Sequence, residues 1–188
     1  MTDLHFVAPG LAVGSRFPPE AVAWLAAEHG IARVVDVRQE ACDDATLLRD
    51  HGIRLLHLPT EDTCAISQER LRTGVAFVSE GLDRGEPVLI HCQYGIGRSA
   101  LLALCVLVAR GDAPLRALER AKRARRVVSP SPSQLEALRV FAEEHKAESG
   151  APWDVPSMRQ LAAIAWQHLL EDGGVDLGRA EAASTRAS

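Results

Sequence analysis

The chain has 188 residues, enough for one domain with a substantial hydrophobic core. Apolar residues make up 47% and charged residues 24%, a globular balance that excludes a wholly disordered or collagen-like chain. The net charge of −4 gives no overall attraction to nucleic acid. The longest apolar run, residues 100–109, is too short to span a bilayer, so no membrane span is predicted.

The N-terminus and the cysteines bear on the compartment. The first six residues, Met1-Thr-Asp-Leu-His-Phe, lack the basic region and apolar stretch of a secretory signal. The four cysteines form no CxxC pair and no zinc-ligand spacing; they are Cys42, Cys64, Cys92 and Cys105. We therefore predict free thiols in a reducing cytoplasm and no bound metal.

Hydrophobic patterning predicts strands that alternate with helices in the first half of the chain. Runs rich in β-branched residues predict the strands, and capping residues such as Ser67 predict the helix starts. The predicted strands are 4–7, 11–13, 31–37, 53–58 and 87–91, the first two forming a hairpin about Pro9-Gly10 and the fourth ending at Pro59. The predicted helices are 18–30, 44–51 and 67–84.

The second half is predicted to be mostly helical. Residues 99–110 are apolar almost all round, which predicts a buried helix. Two capping boxes, Ser131-Pro-Ser-Gln134 and Ser157-Met-Arg-Gln160, predict helix starts. Beyond a main domain of 1–149, we predict an appended helix within 150–171, with Leu169 on its apolar face, and a disordered tail. The remaining predicted helices are 114–126 and 131–146, and the tail is 172–188.

The order of the elements predicts the fold class. Strands that alternate with helices indicate an α/β domain with a mainly parallel central sheet flanked by helices. In such sheets, functional sites form where the carboxyl ends of strands meet helix N-termini. The strand that ends at His91 leads directly into the buried helix, so the connecting segment is the first candidate for a site.

The segment 91–99, HCQYGIGRS, combines a thiol with an anion-binding loop. Gly95 and Gly97 allow the backbone to curl so that its amides converge, and the helix dipole adds positive potential. Arg98 can take two phosphate oxygens bidentately. The same field favours the thiolate of Cys92 and lowers its pKa from about 8.5 toward roughly 3.5–7.5. Phosphate contacts are predicted from Gln93, Tyr94, Gly95, Ile96, Gly97 and Arg98.

The pattern His91-Cys92-x5-Arg98-Ser99, with its two glycines, resembles the signature of the cysteine-dependent protein tyrosine and dual-specificity phosphatases. The resemblance implies a small dual-specificity-phosphatase fold over about residues 4–146, with the C-terminal helix outside it. It also implies that Cys92 is the nucleophile, that Arg98 binds phosphate and that Ser99 helps the thiolate leave. We expect His91 to hold the loop by hydrogen bonds to backbone rather than to act as a base.

The resemblance further implies a general-acid Asp about thirty residues before the Cys, in a loop that follows a strand. Asp62 stands 30 residues before Cys92 and follows a predicted strand. The leaving oxygen needs a proton as the P–O bond breaks, and a positioned acid contributes about 10²–10⁴-fold. We predict that Asp62 is this acid, with Glu61 as the alternative.

These residues predict a phosphomonoester hydrolase that forms a phosphocysteine and needs no cofactor, because the loop amides and Arg98 supply the positive charge. The expected substrate is a protein or peptide that carries phosphotyrosine, with phosphoserine and phosphothreonine as further substrates. A phosphoinositide or phospholipid-headgroup phosphatase is the alternative, which the uncharged Gln93, Tyr94 and Ile96 disfavour. A rhodanese-type sulfurtransferase and a phosphate-binding pseudoenzyme are the remaining rivals.

Other charged and polar residues have both a functional and a structural interpretation. Seven basic residues within 110–126 would steer phosphorylated substrates if they face the site, but a solvated helix face is the favoured interpretation. Gln134 is of the type that orients a hydrolytic water, but its place in a capping box explains it. Asp36-Val-Arg38 is either a supporting ion pair or plain surface.

The three cysteines outside the loop raise the question of redox control. Cys42 follows a predicted strand and Cys64 lies beside Asp62, so either is a candidate partner for Cys92 in a regulatory disulfide. Cys105 lies on the predicted buried helix and is expected to serve packing.

Overall fold

A five-stranded sheet forms the centre of the molecule in the computed structural model, which describes residues 3–167. The spatial order of the strands is β1-β2-β5-β3-β4. Strands β1 and β2 pair antiparallel, which confirms the hairpin, and the other neighbours pair parallel. The predicted α/β class with a mainly parallel sheet is therefore confirmed. The strands are β1 Leu4–Ala8, β2 Leu11–Gly14, β3 Arg33–Arg38, β4 Arg54–Thr60 and β5 Val88–His91.

Helices cover both faces of this sheet. On one face, buried side chains of α1 and α2 pack against Val34 and Leu89. On the other face, α3 to α7 form a second cluster with Val35 and Ile90. Burial on both faces explains why the strands are apolar runs rather than alternating ones. The helices are α1 Val22–His29, α2 Ala45–Asp50, α3 Gln68–Asp83, α4 Arg98–Ala109, α5 Pro114–Ala124, α6 Pro132–Ser149 and α7 Met158–Ala165.

Capping groups lie at the helix ends, and the predicted caps Ser67, Ser131 and Ser157 are confirmed. Two predicted bounds were wrong: α1 begins at Val22 after a short 3-10 turn rather than at residue 18, and α6 continues to Ser149 rather than 146. A side-chain oxygen at the N-cap accepts a hydrogen bond from the first-turn amides of four helices, which satisfies donors that would otherwise lack a partner. The helices α1 and α6 end at Gly30 and Gly150, whose φ angles of 62° and 70° suit glycine. The four N-caps are Asp44 for α2, Ser67 for α3, Ser131 for α6 and Ser157 for α7.

Strand β4 differs from its prediction at the carboxyl end. Pro59 was expected to end the strand, but β4 continues to Thr60, which pairs with Arg38 of β3. The strand lies at the edge of the sheet. A proline is tolerated there, because an edge strand has a side on which no N–H has to be donated. The extra residues carry the chain to the end of the sheet where β5 also stops.

Helix α4 is buried along nearly its whole length, from Arg98 to Val108. It contacts α3, α5 and α6, so no polar face is needed and the all-round apolar pattern is explained. The helix begins directly after the loop that follows β5, the central strand of the sheet. This arrangement places the N-terminus of a rigid, buried helix at the carboxyl edge of the sheet.

Helix α7 packs on α5 and α6. Leu161 and Ala165 are fully buried, and Lys122 Nζ donates a 2.7 Å hydrogen bond to the carbonyl of Ala165 at the end of α7. Leu169 and the predicted disordered tail lie outside the described residues. Within residues 3–167, no helix is both long and apolar enough to cross a bilayer.

Candidate active site

The loop between β5 and α4 is folded tightly against its neighbours. Gly95 has a φ angle of 67°, which side chains rarely adopt, and a Cβ atom there would lie 2.5 Å from the carbonyl oxygen of Gly14. The outer carbonyls of the loop are also bound, because Arg16 N donates to Gln93 O and Ser129 N donates to Ile96 O. Hydrogen bonds from neighbouring segments therefore hold the loop, and any side chain at position 95 would be both strained and crowded.

Cys92 is buried at the start of this loop, with its sulfur among hydrogen-bond donors. The amide of Gly95 donates to Sγ at 3.2 Å, and the hydroxyl of Ser99 lies 3.3 Å from Sγ. Burial raises the pKa of Cys92, but the Ser99 hydroxyl and the backbone amides of Ser99, Tyr94 and Gly95 outweigh that effect, so the net pKa is lowered. A lower pKa increases the fraction of thiolate, and the thiolate is the form of cysteine that attacks an electrophile.

Arg98 occupies the first position of α4 and is almost completely buried. Its Nη1 donates to the carbonyl of Thr60 at 2.8 Å, at the end of the neighbouring strand β4. Its Nε is buried and has no hydrogen-bond partner among residues 3–167. A buried N–H without a partner costs free energy, so an acceptor that bound Nε would remove that cost.

Glu40 is a site residue that the sequence reasoning missed. Its two oxygens accept hydrogen bonds from Nη1 and Nη2 of Arg98, both at 2.8 Å. This bidentate contact lowers the pKa of Glu40 from 4.5 to about 2. The only signal was position: Glu40 follows β3, and the carboxyl ends of parallel strands meet at one edge of the sheet.

Asp62 lies beside Arg98 on the loop that follows β4. Its Oδ1 is 3.1 Å from Nη2 of Arg98, and its side chain is 61% exposed. Glu61, the alternative acid, shares an open cavity of about 570 Å³ with Asp62, but no contact joins it to Arg98. We call the loop that follows β4 and contains Glu61 and Asp62 the acid loop. The cavity connects it with the loop of Cys92, and its lining consists of Gln39, Glu40, Glu61, Asp62, Gln93 and Tyr94.

His91 is held by a carboxylate rather than by backbone, contrary to the prediction. Its Nε2 is 2.7 Å from Oδ2 of Asp43, and its Nδ1 has no hydrogen-bond partner within the described part of the chain. The prediction failed because Asp43 is 48 residues away in sequence and reaches His91 only through the loop that follows β3. A carboxylate is a stronger acceptor than a peptide carbonyl, so the ring is fixed firmly next to Cys92.

The same Asp43 belongs to a buried ion network. Arg38 donates to both oxygens of Asp36, at 2.9 and 2.8 Å, and to Oδ1 of Asp43 at 2.7 Å. Burial raises the pKa of Asp36, but its bonds with Arg38 and the nearby His91 lower it overall. The Asp36-Val-Arg38 segment is therefore a supporting ion pair, not plain surface. Asp36, Asp43 and His91 are close enough to share a cation, but the Arg38 guanidinium already occupies both carboxylates.

Arg125 is the buried exception in the basic run that was predicted to be a solvated helix face. The face itself is solvent-exposed, as the exposed side chains of Arg110, Arg116, Arg120, Arg123 and Arg126 show. The side chain is buried, and it donates from Nε to the carbonyl of Gly95 at 2.8 Å and from Nη2 to that of Tyr94 at 2.9 Å. Asp3 balances its charge through both carboxylate oxygens. The run of like charges concealed this role, because α5 ends here and its last turn lies beneath the loop.

Gln134 has the capping role that the sequence predicted. Its Oε1 accepts from Ser131 N at 2.8 Å, as the capping box requires. Its Nε2 also donates to the carbonyl of Cys64 at 3.0 Å. A Cβ atom on Gly97 would lie 2.5 Å from Oε1 of Gln134, so this side chain also fills space against the loop.

The cysteines are present as free thiols. Cys42 and Cys64 are exposed, and burial together with Asp36 and Asp43 raises the pKa of Cys42. Cys105 is fully buried, as expected for a packing residue, and burial raises its pKa. A disulfide from Cys92 to Cys42 or Cys64 under oxidation stays a prediction.

Comparisons with known proteins show which family the sequence is similar to. A family model described as "Dual specificity phosphatase, catalytic domain" matches residues 19–144. Rat "Phosphatidylglycerophosphatase and protein-tyrosine phosphatase 1" is 27% identical over 132 residues, covering 66% of this chain and 68% of the rat protein. Vaccinia virus "Dual specificity protein phosphatase OPG106" is 32% identical over 73 residues, covering 38% of this chain and 43% of the viral protein.

Solved structures are similar over most of the described chain. Human DUSP28 superposes with a TM-score of 0.70 at 26% identity, covering 78% of this chain and 100% of the other. Tk-PTP in its active form gives a TM-score of 0.70 at 26% identity, covering 75% and 97%. The structure of PTPMT1 in complex with PI(5)P superposes with a TM-score of 0.74 at 24% identity, covering 78% of this chain and 98% of the other. This match shows a similarity of fold. These findings and the loop between β5 and α4 point to one family.

Proposed function

Since this chain belongs to the dual specificity phosphatase catalytic domain family, we propose that it hydrolyses phosphotyrosyl proteins through a phosphocysteine, with phosphoserine and phosphothreonine as further substrates. The observation that carries the proposal is the environment of Cys92. Its sulfur lies 3.2 Å from a loop amide and has a lowered pKa, and the same loop leads directly into the buried Arg98, the first residue of α4. A nucleophile and the donors for the group that it attacks thus lie in one loop.

In the first step, the Cys92 thiolate attacks phosphorus and the S–P bond forms as the P–O bond to the leaving group breaks. Asp62 acts in its protonated form: it gives its proton to the leaving oxygen, which departs as an alcohol or phenol, and Asp62 becomes the carboxylate. The loop amides and Arg98 hold the remaining phosphate oxygens, on which charge is spread in the transition state. The free Nε of Arg98 is the donor that supports this role.

In the second step, the Asp62 carboxylate takes a proton from water as the water oxygen attacks phosphorus. The S–P bond breaks, phosphate is released and the thiolate returns. The hydroxyl of Ser99, 3.3 Å from Sγ, stabilises the sulfur as it regains its charge.

The charge of the cavity beside the Cys92 loop favours phosphoproteins as substrates. Three carboxylates, Glu40, Glu61 and Asp62, line the cavity beside the loop. Tyr94, with 61% of its surface exposed, offers an aromatic surface at the same cavity. An aryl phosphate gains contact with such a ring, whereas a headgroup that carries additional phosphates is repelled by the carboxylates.

A phospholipid-headgroup phosphatase is the second candidate. Its support is the 27% identity to the rat protein named "Phosphatidylglycerophosphatase and protein-tyrosine phosphatase 1". The two candidate substrates differ in the charge that they bring to this cavity: a lipid vesicle is anionic, whereas a peptide can have basic residues beside its phosphotyrosine. Replacement of Glu61 by Lys should therefore raise activity on anionic lipid vesicles and lower activity on phosphotyrosine peptides with basic flanks.

The decisive experiment compares phosphotyrosine, phosphoserine and phosphothreonine peptides with vesicles that contain phosphatidylinositol 5-phosphate or phosphatidylglycerophosphate, all with a chelator present. The phosphotyrosine peptide should give the highest kcat/KM, and Cys92→Ser should abolish turnover of every substrate. Higher kcat/KM on vesicles would support the second candidate instead. Full activity in Cys92→Ser would refute the mechanism, and cyanide-dependent sulfur transfer from thiosulfate would indicate the rhodanese alternative.

A further inference from the structure

Thr63, the residue after Asp62, has an unusual backbone conformation. Its φ angle is 62°, and no other non-glycine residue between positions 3 and 167 has a positive φ. A β-branched residue strongly disfavours this region, so neighbouring groups must hold it there. Strain of this kind next to a site residue directs attention to whatever holds the acid loop in place.

Two hydroxyl groups from the start of α6 bind the carbonyl of Thr63. Ser131 Oγ donates to it at 2.7 Å and Ser133 Oγ at 3.1 Å. One residue further on, the carbonyl of Cys64 accepts from Gln134 Nε2 at 3.0 Å. We call these three residues, Ser131, Ser133 and Gln134, the α6 clamp. It binds two successive carbonyls that immediately follow Asp62.

The α6 clamp also touches the phosphate-binding loop. The carboxamide of Gln134 lies so close to Gly97 that a Cβ atom there would be 2.5 Å from Oε1. Just before α6, Ser129 N donates to the carbonyl of Ile96 at 3.0 Å. One short stretch of chain therefore contacts both loops, and it fixes the acid loop relative to the loop that contains Cys92.

We propose that Ser131, Ser133 and Gln134 are positioning residues that, through Thr63, hold Asp62 in the place from which it protonates the leaving group. The inference rests on the proposed function, because it takes Asp62 as the general acid. Helix capping alone does not explain the contacts. A cap needs only the acceptor role of Ser131, which Gln134 N uses at 3.3 Å, and it has no use for hydroxyls donated to Thr63.

The two roles of Ser131 can be separated by substitution. Ser131→Asp keeps an oxygen that caps the helix but removes the hydroxyl hydrogen given to Thr63. Ser133→Ala removes the second hydroxyl, which also lies 3.0 Å from Ser131 Oγ, and it adds no charge. The cap bond from Gln134 N to Ser131 Oγ keeps both of its atoms. Ser131→Thr keeps both the acceptor and the donor. Ser157→Asp makes the same change in the capping box of α7, where the hydroxyl bonds only within its own box.

The measurement compares two aryl phosphates whose leaving groups differ in whether they must be protonated as they depart. Phenyl phosphate has a poor leaving group, whereas 2,4-dinitrophenyl phosphate has one that departs without protonation. We expect Ser131→Asp and Ser133→Ala to lower kcat/KM for phenyl phosphate by about tenfold or more, part of the 10²–10⁴-fold of an acid. They should change kcat/KM for the dinitrophenyl ester and the vanadate inhibition constant by less than about threefold, and Ser131→Thr and Ser157→Asp should match the wild type in all three.

Equal losses on both esters, or no loss on phenyl phosphate, would overturn the inference. The Asp62→Ala variant separates this failure from failure of the proposed function. If Asp62→Ala loses activity mainly on phenyl phosphate and the clamp variants do not, the positioning role alone is wrong. If Asp62→Ala lowers kcat/KM equally for both esters, Asp62 is not the general acid. In that case the proposed function has the wrong acid, and the positioning role has no basis.

Discussion

Two carboxylates share the guanidinium of Arg98 in the site. Glu40 binds Nη1 and Nη2, and Asp62 lies 3.1 Å from Nη2, so the buried cation is balanced before substrate arrives. A phosphate that enters the loop finds Nε free and competes with these carboxylates for Nη2. The balance of charge around this one arginine therefore governs both the resting site and its affinity for oxyanions.

Glu40→Gln tests this pairing through the pH dependence of stability. Arg98 lowers the Glu40 pKa to about 2, so the ionised side chain stabilises the fold above the ordinary value of 4.5. This contribution is lost as the pH falls through about 2. The wild type should have the higher Tm at pH 7, and the difference should shrink between about pH 5 and about pH 2. A difference that is the same at every pH would contradict the pairing.

Ser99→Ala tests the hydrogen bond to the sulfur of Cys92. The Ser99 hydroxyl helps to lower the Cys92 pKa, so its removal should raise that pKa. In the wild type, the rate of alkylation by iodoacetamide should rise with pH at a midpoint below about 8.5, the ordinary cysteine pKa. In Ser99→Ala, this midpoint should move to a higher pH. A Cys42→Ser, Cys64→Ser background is needed, because both of these thiols are exposed. Superimposable profiles would exclude the proposed role of Ser99.

Residues of the site differ in how far sequence predicts them. Cys92, Arg98 and Ser99 lie in one short segment, so the spacing itself places them together. Glu40 contacts Arg98 from 58 residues away in sequence, and an exposed loop glutamate looks the same whether or not it has such a partner. Only the meeting of β3 and β5 at one edge of the sheet brings the two together.

At the level of elements, the loop between β5 and α4 is held from outside as well as by its own sequence. Arg125, at the end of α5, binds the carbonyls of Tyr94 and Gly95, and Asp3 balances its charge from the start of β1. These carbonyls of the loop therefore have partners on its outer side, and the amide of Gly95 donates to the Cys92 sulfur. Preorganisation of this kind is what lets amides stabilise a transition state without rearrangement.

Gly95→Ala should disrupt the loop and abolish vanadate binding. The new side chain would need a φ angle of 67° and would lie 2.5 Å from the carbonyl oxygen of Gly14. The strain alone costs about 1–2 kcal/mol, and the clash with backbone adds to it because backbone cannot move aside as a side chain can. Tryptophan fluorescence or calorimetric titration with vanadate measures the loss.

Gly52→Ala is the matched control for that substitution. Gly52 has a φ angle of 76°, but a Cβ atom there would meet nothing within 4 Å. It should therefore show the strain without the clash: a lower Tm with vanadate affinity unchanged. Equal vanadate affinity in Gly95→Ala and the wild type would show that the loop does not need glycine.

Local chemistry explains why helix starts could be predicted better than the end of strand β4. The N-caps at Ser67, Ser131 and Ser157 act within four residues, so the sequence contains both partners. The end of β4 depends instead on whether a neighbouring strand lies beyond it. Pro59 looks like a stop in the sequence, and only the edge position of β4 makes it acceptable within a strand.

At the scale of the whole molecule, α7 joins the same core as the helices that support the site. Leu161 is fully buried, and Trp166 Nε1 donates to the carbonyl of Pro130 at 3.1 Å, just before α6. Lys122 of α5 binds the end of α7. Contacts of α7 with α5 and α6 therefore support the two helices that hold the phosphate-binding loop and the acid loop.

Leu161→Ala should destabilise the entire fold if α7 is part of the cooperative core. Loss of a buried leucine costs about 2–5 kcal/mol, through lost burial and the cavity that remains. At about 2–4 °C per kcal/mol, the Tm should fall by roughly 5–20 °C in a single transition. A separate early transition, with the main one unchanged, would show instead that α7 melts independently.

The sequence by itself determined the α/β class, most helix starts and the position of the loop from His91 to Ser99 between a strand and a helix, because each depends on periodicity, capping or spacing among residues that are close in the chain. Tertiary structure alone decided the partners of the charged residues: Glu40 on Arg98, Asp43 on His91 and Arg125 beneath the loop. Before folding, these side chains are indistinguishable from solvated surface charges. They acquire a role only when the carboxyl ends of distant strands converge and exclude water, since burial makes a paired charge a fixed part of the site.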